Sequence, residues 1–319
     1  MDARSVRLVS WSEDFRWLIF LVEGKTTAGS YYLLDVESGE PRLLADQRPK
    51  LRHSSIATTA FMQFPTRDGY ELPLTVLTPH TMTDTREADI VVVADSFPSG
   101  FPGWEFDWLA QSIADAGYVV IKPAFRGAGW DSGVSDESPY PLWMANAQKD
   151  IDDAVQFAVE QGFGRSDTVC VVGRNFGGYA ALAVGAFSDR PYRCLVSING
   201  VSDVREFGEV HRRDAGTGRA FAFKPELITG LGSDYRTEAR DVEASPIRYV
   251  EDFAAPVLLV STAPNSWIRP RQSKRMHRAL RKAGKDSSIL EIRPSDIWLS
   301  DAEARLKLIE ALRKFLERS

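Results

Sequence analysis

Between residues 170 and 180 the chain reads Cys170-Val171-Val172-Gly173-Arg174-Asn175-Phe176-Gly177-Gly178-Tyr179-Ala180, and this stretch limits the fold more than any other. A β-branched run ends in Gly-x-Asn-x-Gly-Gly and passes directly into the small, apolar Ala180–Ala186 segment. That order implies a buried strand, a sharp turn and a close-packed helix. It is the context in which a G-x-S-x-G motif presents a nucleophile at the tip of the turn. The tip here is Asn175, whose carboxamide is not the activated hydroxyl or thiol that nucleophilic catalysis uses. Backbone pattern and side-chain chemistry point in opposite directions.

The flanking sequence alternates apolar strand-like runs with amphipathic helical ones. Ile90–Val93, Tyr118–Ile121, Thr168–Val172, Cys194–Asn199, Val257–Val260 and Ser288–Ile292 read as strands. Glu105–Ala116, Leu142–Gln161, Gly178–Phe187, Ser273–Ala283 and Ala302–Leu316 carry helical spacing, with Gly117 placed as a stop and Ile151, Ala154, Val155 and Ala158 on an inner stripe. Phe61–Phe64 and Leu72–Leu77 flank Arg67-Asp68-Gly69 as a hairpin. This is an α/β fold with a mostly parallel sheet. Residues 203–249 are less regular and belong over the C-terminal edge of that sheet, where ligands of such folds bind.

Residues 1–55 read differently. Val6–Trp11, Trp17–Val22 and Tyr31–Asp35 are short strand-like runs separated by Ser12-Glu13-Asp14, Glu23–Ser30 and Glu37–Glu40. Two or three such strands make a small antiparallel unit with open edges. We therefore divide the chain into 1–55 and 56–319. An edge-to-edge homodimer through the N-terminal unit is one expectation that follows.

Composition excludes some partners. The net charge of −5 gives no electrostatic case for nucleic acid or an anionic membrane, and no apolar run is long enough to span a bilayer. The Met1-Asp2-Ala3-Arg4-Ser5 start lacks a signal-peptide layout, which fits a cytoplasmic location, although a piece of a longer secreted chain reads the same way. The two cysteines, Cys170 and Cys194, read as buried small thiols rather than a disulfide. Lys274, Arg275, His277, Arg278 and Arg281 read as a solvated basic face. No spacing of His, Cys, Asp and Glu resembles a metal set, and no cofactor is implied.

From Phe61 to the C-terminus the sequence resembles the catalytic domain of the prolyl oligopeptidase family, serine peptidases of the α/β-hydrolase superfamily. The likeness runs in order through Phe125-Arg126-Gly127-Ala128-Gly129, Asp150 and Asp153, Gly177-Gly178-Tyr179, Ser245-Pro246, Pro256–Val260, and Pro270, Gln272 and Ser273. The first 50 residues resemble the end of that family's β-propeller, with Ser10-Trp11-Ser12 before a turn and a Tyr31–Asp35 strand. The resemblance implies an α/β-hydrolase fold preceded by a small antiparallel β unit.

It also supplies a test of the triad. The nucleophile position is Asn175. The acid position, in Ser261-Thr262-Ala263-Pro264-Asn265-Ser266-Trp267-Ile268, is Asn265. The base position, in Pro294-Ser295-Asp296-Ile297-Trp298-Leu299, is at or beside Trp298, and no histidine follows His277. Where the family carries His-Gly-Gly-Pro, this chain reads Ala94-Asp95-Ser96-Phe97-Pro98. The resemblance thus implies an inactive relative that binds a peptide or small molecule, or serves as a structural subunit. The mouth would be lined by Asp95, Ser96, Phe97, Phe101, Trp104, Arg126, Asn175, Phe176, Trp267 and Trp298. Arg126 reads equally well as a structural arginine, and the tryptophans as filling the emptied site. The rival expectation is a serine-type hydrolase with another constellation, Ser96 or Ser266 acting with His211.

Overall fold

The computed structural model describes residues 4–24, 27–51, 56–96, 106–126, 142–216, 243–265 and 267–319. The first sheet is an antiparallel meander of β1 (Arg4–Trp11), β2 (Trp17–Gly24), β3 (Thr27–Asp35) and β4 (Pro41–Asp46), in that order. It holds one strand more than the sequence pattern indicates, because Pro41–Asp46 pairs with β3 although every residue of it is exposed. Two rows of paired residues on one face, Leu8-Phe20-Tyr32-Leu43 and Trp11-Leu18-Leu34-Pro41, are apolar throughout.

The second sheet contains β5 (Thr58–Pro65), β6 (Glu71–Thr78), β7 (Ile90–Ser96), β8 (Val119–Pro123), β9 (Cys170–Asn175), β10 (Cys194–Ile198), β11 (Val257–Thr262) and β12 (Ser287–Ile292). Its order is β12-β11-β10-β9-β7-β8-β6-β5. The six strands from β12 to β8 run parallel, and β6 and β5 complete one edge antiparallel. Continuous apolar strands such as Ile90–Val93 are buried on both faces, which their lack of alternation requires.

Helices cover both faces. α1 (Trp108–Asp115) and α6 (Ala302–Arg318) pack on the face presented by Val91, Val93, Val172 and Val196. α2 (Leu142–Glu160), α3 (Phe176–Phe187) and α5 (Arg271–Lys282) pack on the opposite face, against Val92, Val171 and Leu259. The stripe Ile151, Ala154, Val155 and Ala158 on α2 is fully buried. Gly117 ends the turn after α1 with φ 98°, a conformation that favours glycine. α4 (Val204–Gly216) is a regular helix within the stretch read as irregular, and residues 217–242 lie outside the described residues.

One expectation needs correction. Cys170 and Cys194 are disulfide-bonded rather than free. They open adjacent parallel strands and pair in register, which sets their Cα atoms 4.6 Å apart, inside the span a disulfide bridges. Such bonds persist in oxidising surroundings. The basic helix α5 keeps Lys274, Arg278 and Arg281 exposed and also makes ion pairs. On α5, Arg275 pairs with Asp203 and Glu206, Lys274 pairs with Glu291, and half-buried His277 places Nδ1 3.0 Å from Ser287 Oγ. No described helix is long and apolar enough to cross a membrane.

Candidate active site

The elbow forms where the sequence places it. β9 ends at Asn175 and α3 begins at Phe176, with no residue between them. Asn175 takes φ 57° and ψ −112°, a strained turn for a residue with a side chain. Glycines make the turn fit. A Cβ on Gly173 would lie 1.8 Å from the Gly177 carbonyl oxygen, and one on Gly178 would lie 2.8 Å from both Gly200 Cα and the Ile198 carbonyl oxygen. Ser197 Oγ–H closes the neighbouring layer by donating to the Gly178 carbonyl at 2.8 Å.

Asn175 is 1% exposed, and its Oδ1 is buried without a hydrogen-bond partner. The side chain does not cap α3 either. Behind it the Phe176 ring packs between Phe125 and Tyr179, at centroid distances of 5.7 and 5.6 Å. The Tyr179 hydroxyl donates to the Ala244 carbonyl at 3.1 Å, and burial holds its pKa above the usual phenol range. Across the parallel ladder Ser96 pairs with Asn175 and Asp95 with Arg174. The side chains of Asp95 and Ser96 lie outside the description.

The acid loop follows β11. Asn265 is buried, and its Oδ1 accepts the backbone N–H groups of Trp267 and Ile268, both at 3.0 Å. Its Nδ2 donates to Thr262 Oγ1 at 3.4 Å, and Thr262 N–H donates to Asn199 Oδ1 at 2.8 Å. The carboxamide staples its own loop. Being uncharged, it offers no counter-charge to an imidazolium.

The base loop follows β12 and is built differently. Asp296 Oδ1 accepts from the backbone N–H of Trp298 at 2.9 Å and of Ser300 at 3.0 Å, forming a tight Asx turn. Leu299 is fully buried with φ 54°, and its carbonyl accepts from Arg305 Nε at 2.5 Å. Arg305 and Arg174 both lie over the Trp108 ring, at 5.0 and 5.9 Å from its centroid. With Leu299 drawn into the core, Trp298 is 49% exposed.

Beside Trp108, Asp107 caps α1 by accepting from the N–H groups of Leu109 and Ala110, and it pairs with Lys122. Burial opposes its charge, but Lys122 and then Arg174 outweigh that and bring its pKa down to about 2. Arg126 is buried against carboxylates. Its guanidinium contacts fully buried Asp150 and, at 2.5 Å, Asp68, while its backbone N–H donates to Asp150 at 2.9 Å. Burial opposes this charge too, yet the two carboxylates hold the guanidinium above its usual pKa.

Of the expected mouth residues, the description therefore places Asn175 and Phe176 together at the elbow, Trp267 half-buried beyond Asn265, and Trp298 in the base loop. Phe97, Phe101, Trp104 and Ser266 lie outside the described residues, as does the His211 side chain. A cleft of about 450 Å³ lies between the base loop and the start of α6, touching Pro264, Pro294, Asp296 and Lys307; Asn175 does not line it. Among the described residues no group of His, Cys, Asp and Glu is arranged to hold a metal ion. Sequence reasoning missed Arg305 and the Asp107–Lys122 pair, since neither belongs to a local motif. The disulfide did have a signal, namely two cysteines opening successive parallel strands.

A mostly parallel sheet clad by helices on both faces, with a strained strand-to-helix elbow at the C-terminal end of a central strand, defines an α/β-hydrolase. Residues 104–319, more than half of the chain, match the prolyl oligopeptidase family, and the chain belongs to it. It is 25% identical over 260 residues to dipeptidyl aminopeptidase BIII of Pseudoxanthomonas mexicana, covering 78% of this chain and 37% of that protein. It is 24% identical over 142 residues to inactive dipeptidyl peptidase 10 of Mus musculus, covering 43% of this chain and 18% of that one. In structure it resembles the acylaminoacyl peptidase of Pyrococcus horikoshii, with TM-score 0.80 at 20% identity over 98% of this chain and 49% of that one. The chain thus spans half or less of the length of these relatives.

Proposed function

We propose that this chain is a catalytically inactive member of the prolyl oligopeptidase family that keeps the fold to hold a peptide or small molecule at the former catalytic mouth. The observation that carries this reading is Asn175, which occupies the strained tip of the elbow with its Oδ1 buried and unpartnered. A buried acceptor without a partner costs about 1–3 kcal/mol, and a ligand N–H or O–H donor would recover that loss. Asn265 supports the same reading, because its carboxamide is occupied by its own loop. So does the base loop, where Trp298 stands half exposed as an aromatic contact surface. His277 offers no replacement base. It sits beside Ser287, at the opening of β12 and therefore at the opposite edge of the parallel sheet from the elbow. The division into an N-terminal β unit (1–55) and a hydrolase-like unit (56–319) belongs to this proposal.

The test has two arms. Purified protein is expected to show no labelling by a fluorophosphonate probe and no turnover of an activated ester or a proline-containing peptide, and Asn175→Ser alone is expected to add neither. Stoichiometric labelling that maps to one serine, and vanishes when that serine is replaced, would overturn the inactive reading. In the second arm, proline-containing di- and tripeptides are screened by thermal shift. A stabilising peptide should lose its effect in Asn175→Ala.

A further inference from the structure

A second cleft, of about 500 Å³, opens where the starts of α4 and α5 meet the turn Pro246–Arg248. Asn175, Asn265 and Trp298 do not line it. Its volume is that of a small-molecule site. Among the described residues, five arginines line it against three carboxylates. Its floor is held by hydrogen bonds. Gln272 Oε1 accepts the backbone N–H groups of Ser202 and Asp203 at 2.9 and 2.8 Å, and its Nε2 donates to the Asp203 carbonyl at 3.1 Å. These bonds pin the approach to α4 onto α5. Ser245 Oγ then accepts the N–H of Val204 at 2.9 Å, and Asp203 Oδ1 accepts that of Glu206 at 3.0 Å.

Charge is layered on this floor. Arg275 Nη1 bridges Asp203 at 3.0 Å and Glu206 at 2.5 Å, and Arg271 Nε meets the other Glu206 oxygen at 3.0 Å. The Asp203 and Glu206 side chains are 14% and 15% exposed, whereas Arg275 is 34% and Arg271 71% exposed. A solute entering the cleft therefore meets guanidinium edges before carboxylates. Burial opposes the Arg275 charge, but Glu206 and Asp203 outweigh that and hold the guanidinium above its usual pKa. Arg248, from the neighbouring turn, is exposed and pairs with no carboxylate among the described residues.

We propose that this cleft binds a small phosphorylated molecule, its phosphoryl group held by Arg248, Arg271 and Arg275. Guanidiniums pair bidentately with phosphate oxygens, and sharing Glu206 keeps the two on α5 adjacent. Each has five N–H donors, of which the ion pairs engage one nitrogen. A phosphoryl group brings three acceptor oxygens and nearly two charges, where a single carboxylate brings two oxygens and one charge. Asp203 and Glu206 orient the arginines from beneath, as supporting groups do in a preorganised site. The rest of the cleft leaves room for the uncharged part of the ligand. The proposal is independent of what the catalytic mouth holds.

Calorimetric titration of the full 319-residue chain tests it, with inorganic phosphate, glycerol 3-phosphate and succinate as probes at constant ionic strength. The expected result is saturable one-site binding of both phosphoryl probes, with succinate at least tenfold weaker. Arg248→Ala with Arg271→Ala should abolish measurable binding. Near-ultraviolet circular dichroism should stay unchanged, because Arg275 still covers both carboxylates. Arg248→Ala alone breaks none of these ion pairs, so it serves even if the double variant misfolds, and it should weaken binding about tenfold. Arg278→Ala with Arg281→Ala removes the same charge from exposed positions of α5 outside the cleft and should leave the affinity unchanged. Absence of saturable binding of either phosphoryl probe up to about 10 mM overturns the proposal. Equal losses in the two double variants do so as well, since the attraction would then be a general effect of charge. Succinate binding as tightly as the phosphoryl probes overturns the assignment of the ligand.

Discussion

The elbow and the base loop sit at the same edge of the sheet, yet they are held in different ways. At the elbow the turn keeps its strained angles, its glycine contacts and its direct entry into α3, although the side chain at the tip is Asn175. After β12 an Asx turn anchored by buried Leu299 shapes the loop. The difference lies in what holds each backbone. The elbow is fixed by the close approach of Gly173 to Gly177 and of Gly178 to residues 198–200, so its shape does not depend on the residue at its tip. The base loop is held by side chains, by Asp296 and Leu299 within it and by Arg305 of α6, so its shape follows those residues.

The largest effect should come from the glycines. Gly173→Ala would put a methyl group 1.8 Å from the Gly177 carbonyl oxygen, and the backbone atoms it meets cannot turn aside as a side chain would. We expect a loss above about 4 kcal/mol, read as failure to yield folded protein or as a collapse of the urea midpoint. A mild effect would mean that the elbow is as adaptable as the base loop, and the comparison would break. Next is the disulfide, which ties β9, the strand that carries the elbow, to β10 across a sequence separation of 24. Replacing both cysteines by alanine should cost about 3 kcal/mol in denaturant unfolding under oxidising conditions. The same loss is expected on adding reductant to the unaltered chain under conditions that reach the buried bond.

Asn175→Gly works in the opposite direction. Glycine accepts a positive φ without a Cβ penalty, and the substitution also removes the unpartnered Oδ1. Against these gains stands the extra backbone entropy of glycine in the unfolded chain. We expect a net stabilisation of about 1 kcal/mol, or roughly 2 °C in Tm. In the proposed binding role that gain comes at the expense of ligand affinity. Stabilisation without loss of binding would separate Asn175 from the ligand.

The sequence made the elbow legible because its constraint is local. Gly173, Asn175, Gly177 and Gly178 fall within six residues, and their spacing permits one backbone shape. The central strands were equally clear, since runs such as Ile90–Val93 have no polar face to expose. The base loop was legible only in what it lacked. Which way Trp298 points depends on Leu299 entering the core and on Arg305, a helix residue six positions further along the chain, reaching back to its carbonyl. The fourth strand of the N-terminal sheet was hidden for a related reason. Pro41–Asp46 is exposed on both faces, so it leaves no alternation to read.

The smallest effects belong to the base loop, and pH reads them. Burial opposes the Asp296 charge, but hydrogen bonds from Ser300, Trp298 and Leu299 outweigh that and hold the carboxyl below the usual carboxylate range. A carboxyl depressed by folding contributes stability that is complete above its unfolded value, about 3.9, and is lost as pH falls through the lower folded value. The turn should therefore hold from neutral pH down to about 4 and loosen below that. Trp298 reports the change, because its own N–H is one of the groups the carboxylate holds. Subtracting the fluorescence of Trp298→Phe from that of the unaltered chain isolates its signal, which should shift in acid before the core unfolds. Asp296→Asn keeps an acceptor oxygen but cannot titrate, so its difference signal should stay flat over the same range. Trp298→Ala itself should change stability by no more than about 0.5 kcal/mol, since the side chain is half exposed and Leu299 carries the anchor. A large loss on that substitution would show that Trp298 packs as a structural part of the mouth, and the contrast between the two loops would narrow.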